Sequence, residues 1–289
     1  GHVRRGGGLV TGAHPWLPTA SCDAGCVRAG AVAAGRPLRV ALRTAVRVTL
    51  VVVLVPGLPL LALPLPGRSH LQRGYCRLLL RSLGTRITVS GGPIRNLSGV
   101  LVVSGHISWL DIIAINAVMP SRFVSKAEVA HWPLVGRLVT AAGTLYLVRE
   151  RRRDAMRVLG LMAQALRDGD TVAVFPEGTT GPGGHIMPFH ANLLQAAIDA
   201  PAPVQPVVIA YREHGHAVSP SAAYVGDTDL LQSLWMIVTA RQLVVHVEFL
   251  DARTVVHADR RTLSDNLHQD MSASLQRTIC EKSDRKSVV

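Results

Sequence analysis

Val100-Leu-Val-Val-Ser-Gly-His-Ile-Ser-Trp-Leu-Asp111 is the stretch whose reading decides the fold. Val100–Ser104 is an apolar, β-branched run that reads as a buried strand, and Gly105 breaks it. Ser108 can N-cap a helix starting at Trp109, so the chain passes from strand through a short turn into helix. His106 then lies just before that helix, at the C-terminal edge of a strand, where α/β folds place their sites. In continuous helix, His106 and Asp111 would point about 140° apart, given roughly 3.6 residues per turn. They can meet only if His106 sits in the turn and folds back over the first helical turn, which Gly105 makes easier. Asp111 would then fix one imidazole nitrogen, leaving the other free to take a proton from an alcohol. Spacing alone leaves a second reading equally open: Ser108-x-x-Asp111 as a capping box with no catalytic content.

Outward from this stretch the pattern is that of an α/β domain. Short β-branched runs occur at Thr85–Ser90, Arg122–Ser125, Thr144–Val148, Thr171–Phe175, Val204–Ala210 and Leu243–Phe249. Helix-like segments lie between several of them. Asp154–Arg167 places Met156, Leu159, Met162, Ala163 and Leu166 at helical spacing and stops at Asp168-Gly169. Arg260–Lys282 reads as a closing helix. This alternation predicts a mixed, largely parallel sheet flanked by helices. A second motif, Phe175-Pro-Glu-Gly-Thr-Thr180, follows the strand at Thr171 and brings Glu177 out at another strand end. Gly178, Gly181, Gly183 and Gly184 give a loop whose backbone N–H groups can approach an anion. Taken alone, Pro-Glu-Gly is also ordinary turn chemistry.

The N-terminal third has a different composition. Residues 1–35 are rich in Gly, Ala and Pro and lack a sustained period, predicting a mobile leader. Residues 36–83 read as a membrane-associated helical segment, followed by the main domain at 84–282 and a polar tail at 283–289. Val48–Pro66 carries no charge and approaches the roughly 20 residues needed to cross a bilayer. Pro56, Gly57, Pro59, Pro64 and Pro66 interrupt it, and arginines flank both sides, at 36, 39, 43 and 47 and at 68, 73, 77 and 81. A helical hairpin or re-entrant anchor fits this better than a straight span, with the arginines among lipid phosphates. A single span and a buried core helix are the competing readings.

Net charge is +12, from 31 Lys and Arg against 19 Asp and Glu, which points to anionic partners. Four each of Phe, Tyr and Trp leave nothing like a basic groove interleaved with stacking aromatics, so nucleic acid is the weakest candidate partner. An anionic membrane surface or a phosphorylated substrate fits better. Cys22 and Cys26 lack a second pair or a histidine with zinc-site spacing, and nothing among the four cysteines demands an oxidising compartment. His185 and His190 lack an evident third ligand and read as loop and helix-start residues. No metal and no cofactor are expected.

His106-Ile-Ser-Trp-Leu-Asp111 resembles the His-x4-Asp block of the glycerolipid acyltransferases, and Phe175–Thr180 resembles their Glu-Gly block. Phe123-Val-Ser-Lys126, Gly143-Thr-Leu-Tyr-Leu-Val-Arg149 and Val204-Gln-Pro-Val-Val-Ile209 resemble three further blocks in the same order. The likeness runs from about Arg81 to Phe249, and the chain resembles the bacterial members that acylate 1-acylglycerol-3-phosphate. It implies that His106 is the general base on the free glycerol hydroxyl of a lysophospholipid, with Asp111 as its orienter. Lys126 and Arg149 would bind the acceptor's phosphate, while Glu177, Gly178 and Thr179 would shape the acceptor pocket. The acyl donor would be an acyl thioester, acyl-CoA or acyl carrier protein, at the cytoplasmic face of a bacterial inner membrane. Backbone N–H groups near the first motif are candidates for the oxyanion.

Each residue has a plainer rival. Lys126 could be a solvated strand-end charge, and Arg149 could belong to the basic run Arg149–Arg153. Another lysolipid acceptor, such as lyso-ornithine lipid, would use the same blocks. A serine lipase is disfavoured by the lack of a Gly-x-Ser-x-Gly elbow. A non-catalytic lipid-binding protein, with Asp111 only a helix cap, is the reading from a different class.

Overall fold

The computed structural model describes residues 37–54, 56–57, 67–94, 98–131, 136, 140, 143–147, 152–255 and 259–284. The leader at 1–35, its cysteines, most of the proline-rich part of the anchor, Arg149 and the extreme tail lie outside them.

Seven strands form one sheet in the order β1-β7-β6-β2-β5-β3-β4. They are β1 (Arg86–Ser90), β2 (Val100–Ser104), β3 (Arg122–Lys126), β4 (Leu145–Leu147), β5 (Thr171–Val174), β6 (Val204–Arg212) and β7 (Val244–Phe249). Every neighbouring pair is parallel except β6 and β7. The largely parallel mixed sheet expected from the alternating pattern is therefore present. β2 sits at its centre and is buried along its whole length, as its unbroken apolar run requires.

Helices cover both faces. On one side lie α2 (Arg68–Ser82), α3 (Leu110–Asn116) and α6 (Leu230–Thr239). Their Leu79, Leu80, Leu110, Ile115 and Ile237 pack with Val100 and Val102 of β2. On the other lie α4 (Arg152–Arg167), α5 (Gln195–Asp199) and α7 (Arg260–Asp284), whose Met162, Leu166, Ala197, Leu267 and Met271 pack with Leu101 and Val103. Successive β2 side chains thus feed two separate cores, as the period-2 alternation of a strand demands.

α1 (Pro37–Leu54) packs beside α2 and α6. Arg47 donates to the Val238 and Ala240 carbonyls at 2.7 and 3.0 Å, and Arg43 to the Thr239 carbonyl at 3.1 Å. Two cations therefore satisfy the exposed C-terminal carbonyls of α6, where the helix dipole favours positive charge. Among the described residues no helix is long and apolar enough to cross a membrane.

β6 runs two residues past the expected end at Ala210. Tyr211 and Arg212 continue the antiparallel ladder opposite Val245 and Val244, so long-range pairing holds them in strand. The first helix after β2 also begins later than expected. Its N-cap is Trp109, in helical conformation and without a side-chain cap bond. Ser108 is not the cap: its hydroxyl is buried with no hydrogen-bond partner among the described residues. Asp111 instead accepts backbone N–H groups of the turn ahead of the helix, as its contacts below show.

Candidate active site

His106 lies in the turn between β2 and α3, not in the helix. Its Nδ1 is 2.8 Å from Oδ2 of Asp111. The same carboxylate oxygen accepts the backbone N–H of Ile107 at 2.7 Å and of Ser108 at 2.9 Å. One carboxylate oxygen thus ties down the imidazole and the backbone N–H groups of the turn ahead of α3 together. Because the Asp111 contact requires a hydrogen on Nδ1 in the neutral ring, Nε2 is the nitrogen left as acceptor. Nε2 has no partner among the described residues, and the side chain is 19% exposed. Asp111 itself is fully buried.

The Phe175 ring stacks on the imidazole, with centroids 4.0 Å apart and planes 10° apart. Phe123 stacks behind it at 5.8 Å. An aromatic face against the ring limits its rotation.

The second motif meets the first through Glu177. Its Oε1 accepts the His106 backbone N–H at 2.7 Å, and its Oε2 accepts that of Met187 at 2.9 Å. A Cβ added at Gly105 would lie 3.1 Å from Oε1, so glycine makes this approach possible. Gly178, with φ of 73°, supplies the left-handed turn that brings Glu177 back over β2. Burial pushes the Glu177 carboxyl up to about 7, against the two backbone bonds that favour its charge, and the nearby Asp111 adds to the rise. The Gly181 N–H donates to the His106 carbonyl at 2.7 Å, and the Tyr224 N–H to the Ile107 carbonyl at 3.0 Å. The Thr180 hydroxyl donates to the Tyr224 carbonyl. The turn that carries His106 is thus held from two further loops.

Lys126 ends β3, next to β4 in the sheet. Thr179 lies in the same loop as Glu177 and is partly exposed. Arg149 lies outside the described residues. Three of the N–H groups named as oxyanion candidates are engaged in the structure: that of His106 donates to Glu177, and those of Ile107 and Ser108 to Asp111. His190 stands at the start of the short 3-10 turn Ala191–Leu194 without capping it through its side chain. Among the described residues no three His, Cys, Asp or Glu side chains gather as a metal site.

Sequence reasoning missed Tyr211. From the extended end of β6, its hydroxyl donates to Oδ1 of Asp111 at 2.8 Å. Alternation along β6 puts Val207, Ile209 and Tyr211 on one face, and that periodicity is visible in sequence. That α3 covers the same face is not.

A strand-end histidine whose Nδ1 is held by a buried carboxylate, with Nε2 left as acceptor, has a geometry that can take up a proton from a hydroxyl. A family profile described as Acyltransferase matches residues 86–210. The chain belongs to this acyltransferase family and is an acyltransferase. It is 34% identical over 208 residues to a 1-acyl-sn-glycerol-3-phosphate acyltransferase of Neisseria meningitidis serogroup B, covering 72% of this chain and 80% of the relative. It is also 34% identical over 222 residues to a lyso-ornithine lipid O-acyltransferase of Pseudomonas aeruginosa, covering 77% and 84%. The crystal structure of the LPA acyltransferase PlsC from Thermotoga maritima shares the fold, with a TM-score of 0.54 at 19% identity, over 84% of this chain and 98% of that one.

Proposed function

We propose that the enzyme transfers a fatty acyl group from an acyl thioester to the sn-2 hydroxyl of 1-acylglycerol-3-phosphate, giving phosphatidic acid. The observation that carries this reading is the His106–Asp111 pair, with Nδ1 engaged and Nε2 open. Nε2 takes the hydroxyl proton as the substrate oxygen attacks the thioester carbonyl. The tetrahedral adduct then collapses, the C–S bond breaks, and the departing sulfur receives the proton from the imidazolium. Asp111 stabilises that imidazolium without needing to take its proton. Lys126 and Arg149 bind the acceptor's phosphate, Arg149 as a bidentate fork and Lys126 as a point charge. Glu177 fixes the turn that carries the base, while Gly178 and Thr179 border the acceptor.

We further infer that the enzyme works at the cytoplasmic face of a bacterial inner membrane. α1 and α2 contain arginines and no acidic residue. Leu38, Leu42, Val52 and Val53 of α1, Leu71 and Leu78 of α2, and Leu231 and Trp235 of α6 are exposed. Apolar side chains among arginines suit the boundary of an anionic bilayer. The patch is tied to the site: the Arg77 guanidinium donates to the Ala117 carbonyl after α3, and the Trp109 indole donates to Ser233 of α6.

Lyso-ornithine lipid is the competing acceptor, because relatives carrying that name match as well as those named for the phosphate-bearing acceptor. Purified enzyme assayed on both lysolipids, each with acyl-CoA and acyl carrier protein as donors, tests the reading. Faster turnover of 1-acylglycerol-3-phosphate is expected. Transfer to lyso-ornithine lipid alone would overturn the acceptor assignment.

A further inference from the structure

We propose that Tyr211 is a positioning residue for acyl transfer, holding Asp111 aimed at His106 through a hydrogen bond to the carboxylate oxygen that the imidazole does not use. The inference rests on the reading of His106 as base and Asp111 as its orienter.

The two oxygens of Asp111 divide their work. Oδ2 receives His106 Nδ1 and the backbone N–H groups of Ile107 and Ser108. Oδ1 receives the Tyr211 hydroxyl at 2.8 Å. Both residues are removed from water, Asp111 at 0% exposure and Tyr211 at 2%. Among the described residues, Tyr211 is the donor that reaches Oδ1. Without the phenol, one oxygen of a buried carboxylate would lose its hydrogen-bond donor.

Tyr211 is suited to the task because it stays a donor. Burial raises its phenol well above the ordinary value, and the Asp111 charge and the hydrogen bond raise it further. Its backbone is fixed by the β7 ladder opposite Val245, and its carbonyl accepts the Ser219 N–H. The donor therefore sits on the sheet rather than on a loop. The titratable groups facing Asp111 are His106 from the turn, Glu177 from the loop after β5, and Tyr211 from β6. Arg77 of α2 reaches only the far end of α3, at the Ala117 carbonyl.

Tyr211→Phe keeps the ring and deletes the donor. It should lower kcat about 10- to 100-fold, the size of a lost hydrogen bond to a charge, with KM little changed. The acid limb of the kcat/KM profile, which reports the proton on the His106–Asp111 pair, should move up by about one pH unit. A purely structural role would not move that limb. Replacing Tyr211 by 3-fluorotyrosine, a stronger donor of nearly the same shape, should move the limb down, and this keeps the test alive if the Phe variant fails to fold. A limb that stays in place in the folded variants overturns the proposal, whatever happens to kcat. His106→Ala separates the two claims. An active His106→Ala enzyme overturns the base itself. An inactive one, alongside an unmoved limb for the Tyr211 replacements, overturns only the role of Tyr211.

Discussion

Asp111 shows how much a single carboxylate can carry. It accepts from one imidazole, one phenol and two backbone amides. Asp111→Asn would present an amide N–H₂ to some of these donors and favour the wrong imidazole tautomer. Turnover should fall roughly 10²- to 10⁴-fold, the range ascribed to general-base assistance, as steady-state kinetics on the folded variant would show. Glu177 yields a prediction in pH. Its folded-state carboxyl titrates near 7, above its ordinary value of 4.5, because burial disfavours the charge. The folded state therefore holds this proton more tightly than the unfolded chain. The stability it contributes is complete below the unfolded value and is lost as pH rises through about 7. Glu177→Gln has no such proton. The gap in Tm between wild type and Glu177→Gln should narrow from pH 5 to 7.5, as differential scanning calorimetry would record. A gap that widens would contradict the burial argument.

Among the elements, the turn between β2 and α3 and the seam between α1 and α6 bear most directly on function. At the turn, Gly105 lets the Glu177 carboxylate lie against the His106 amide. Gly105→Ala would push on a side chain already held by two N–H groups, so it cannot swing away cheaply. A loss of about 1–2 kcal/mol in denaturant unfolding is expected, with a fall in kcat from the displaced base. At the seam, the Arg47 guanidinium passes over Gly84, where a Cβ would come within 2.0 Å of it, to reach the α6 carbonyls. Arg47→Ala should cost about 1–2 kcal/mol by leaving those carbonyls without their donor. The same unfolding measurement checks it, and a neutral result would mean that water replaces the guanidinium without loss.

At the scale of the whole molecule, the apolar and basic surface on α1, α2 and α6 is what the proposed membrane location rests on. Leu231 and Trp235 are 77% and 60% exposed on an uncharged helix, and the neighbouring α1 and α2 are basic. Vesicles containing phosphatidylglycerol should co-sediment the protein more strongly than purely zwitterionic ones, and added salt should weaken the difference. Trp235→Glu should lower vesicle binding several-fold while leaving turnover of detergent-dispersed substrate in place. Binding that ignores both lipid charge and this substitution would remove α6 from the membrane-facing surface.

What the amino-acid sequence determined by itself was local or periodic. Strand alternation, Asp168-Gly169 as a helix stop and the unbroken run of β2 set the α/β class. The strand-to-helix turn required His106 to precede the helix if it was to meet Asp111. Capping fell short, because Ser108 is a good cap by residue type, yet its hydroxyl caps nothing, and Asp111 instead takes the Ile107 and Ser108 N–H groups of the turn while holding the imidazole. Only the tertiary structure decided which long-range partners complete the site. Tyr211 lies 100 residues from Asp111, and Glu177 lies 71 from His106. Parallel strands bring such residues together through crossover connections, and no local propensity encodes which strands become neighbours. The backbone donors beside the base illustrate the same limit. Sequence marks them as available, but the folded chain assigns each to a carboxylate, because a buried N–H group must find an acceptor.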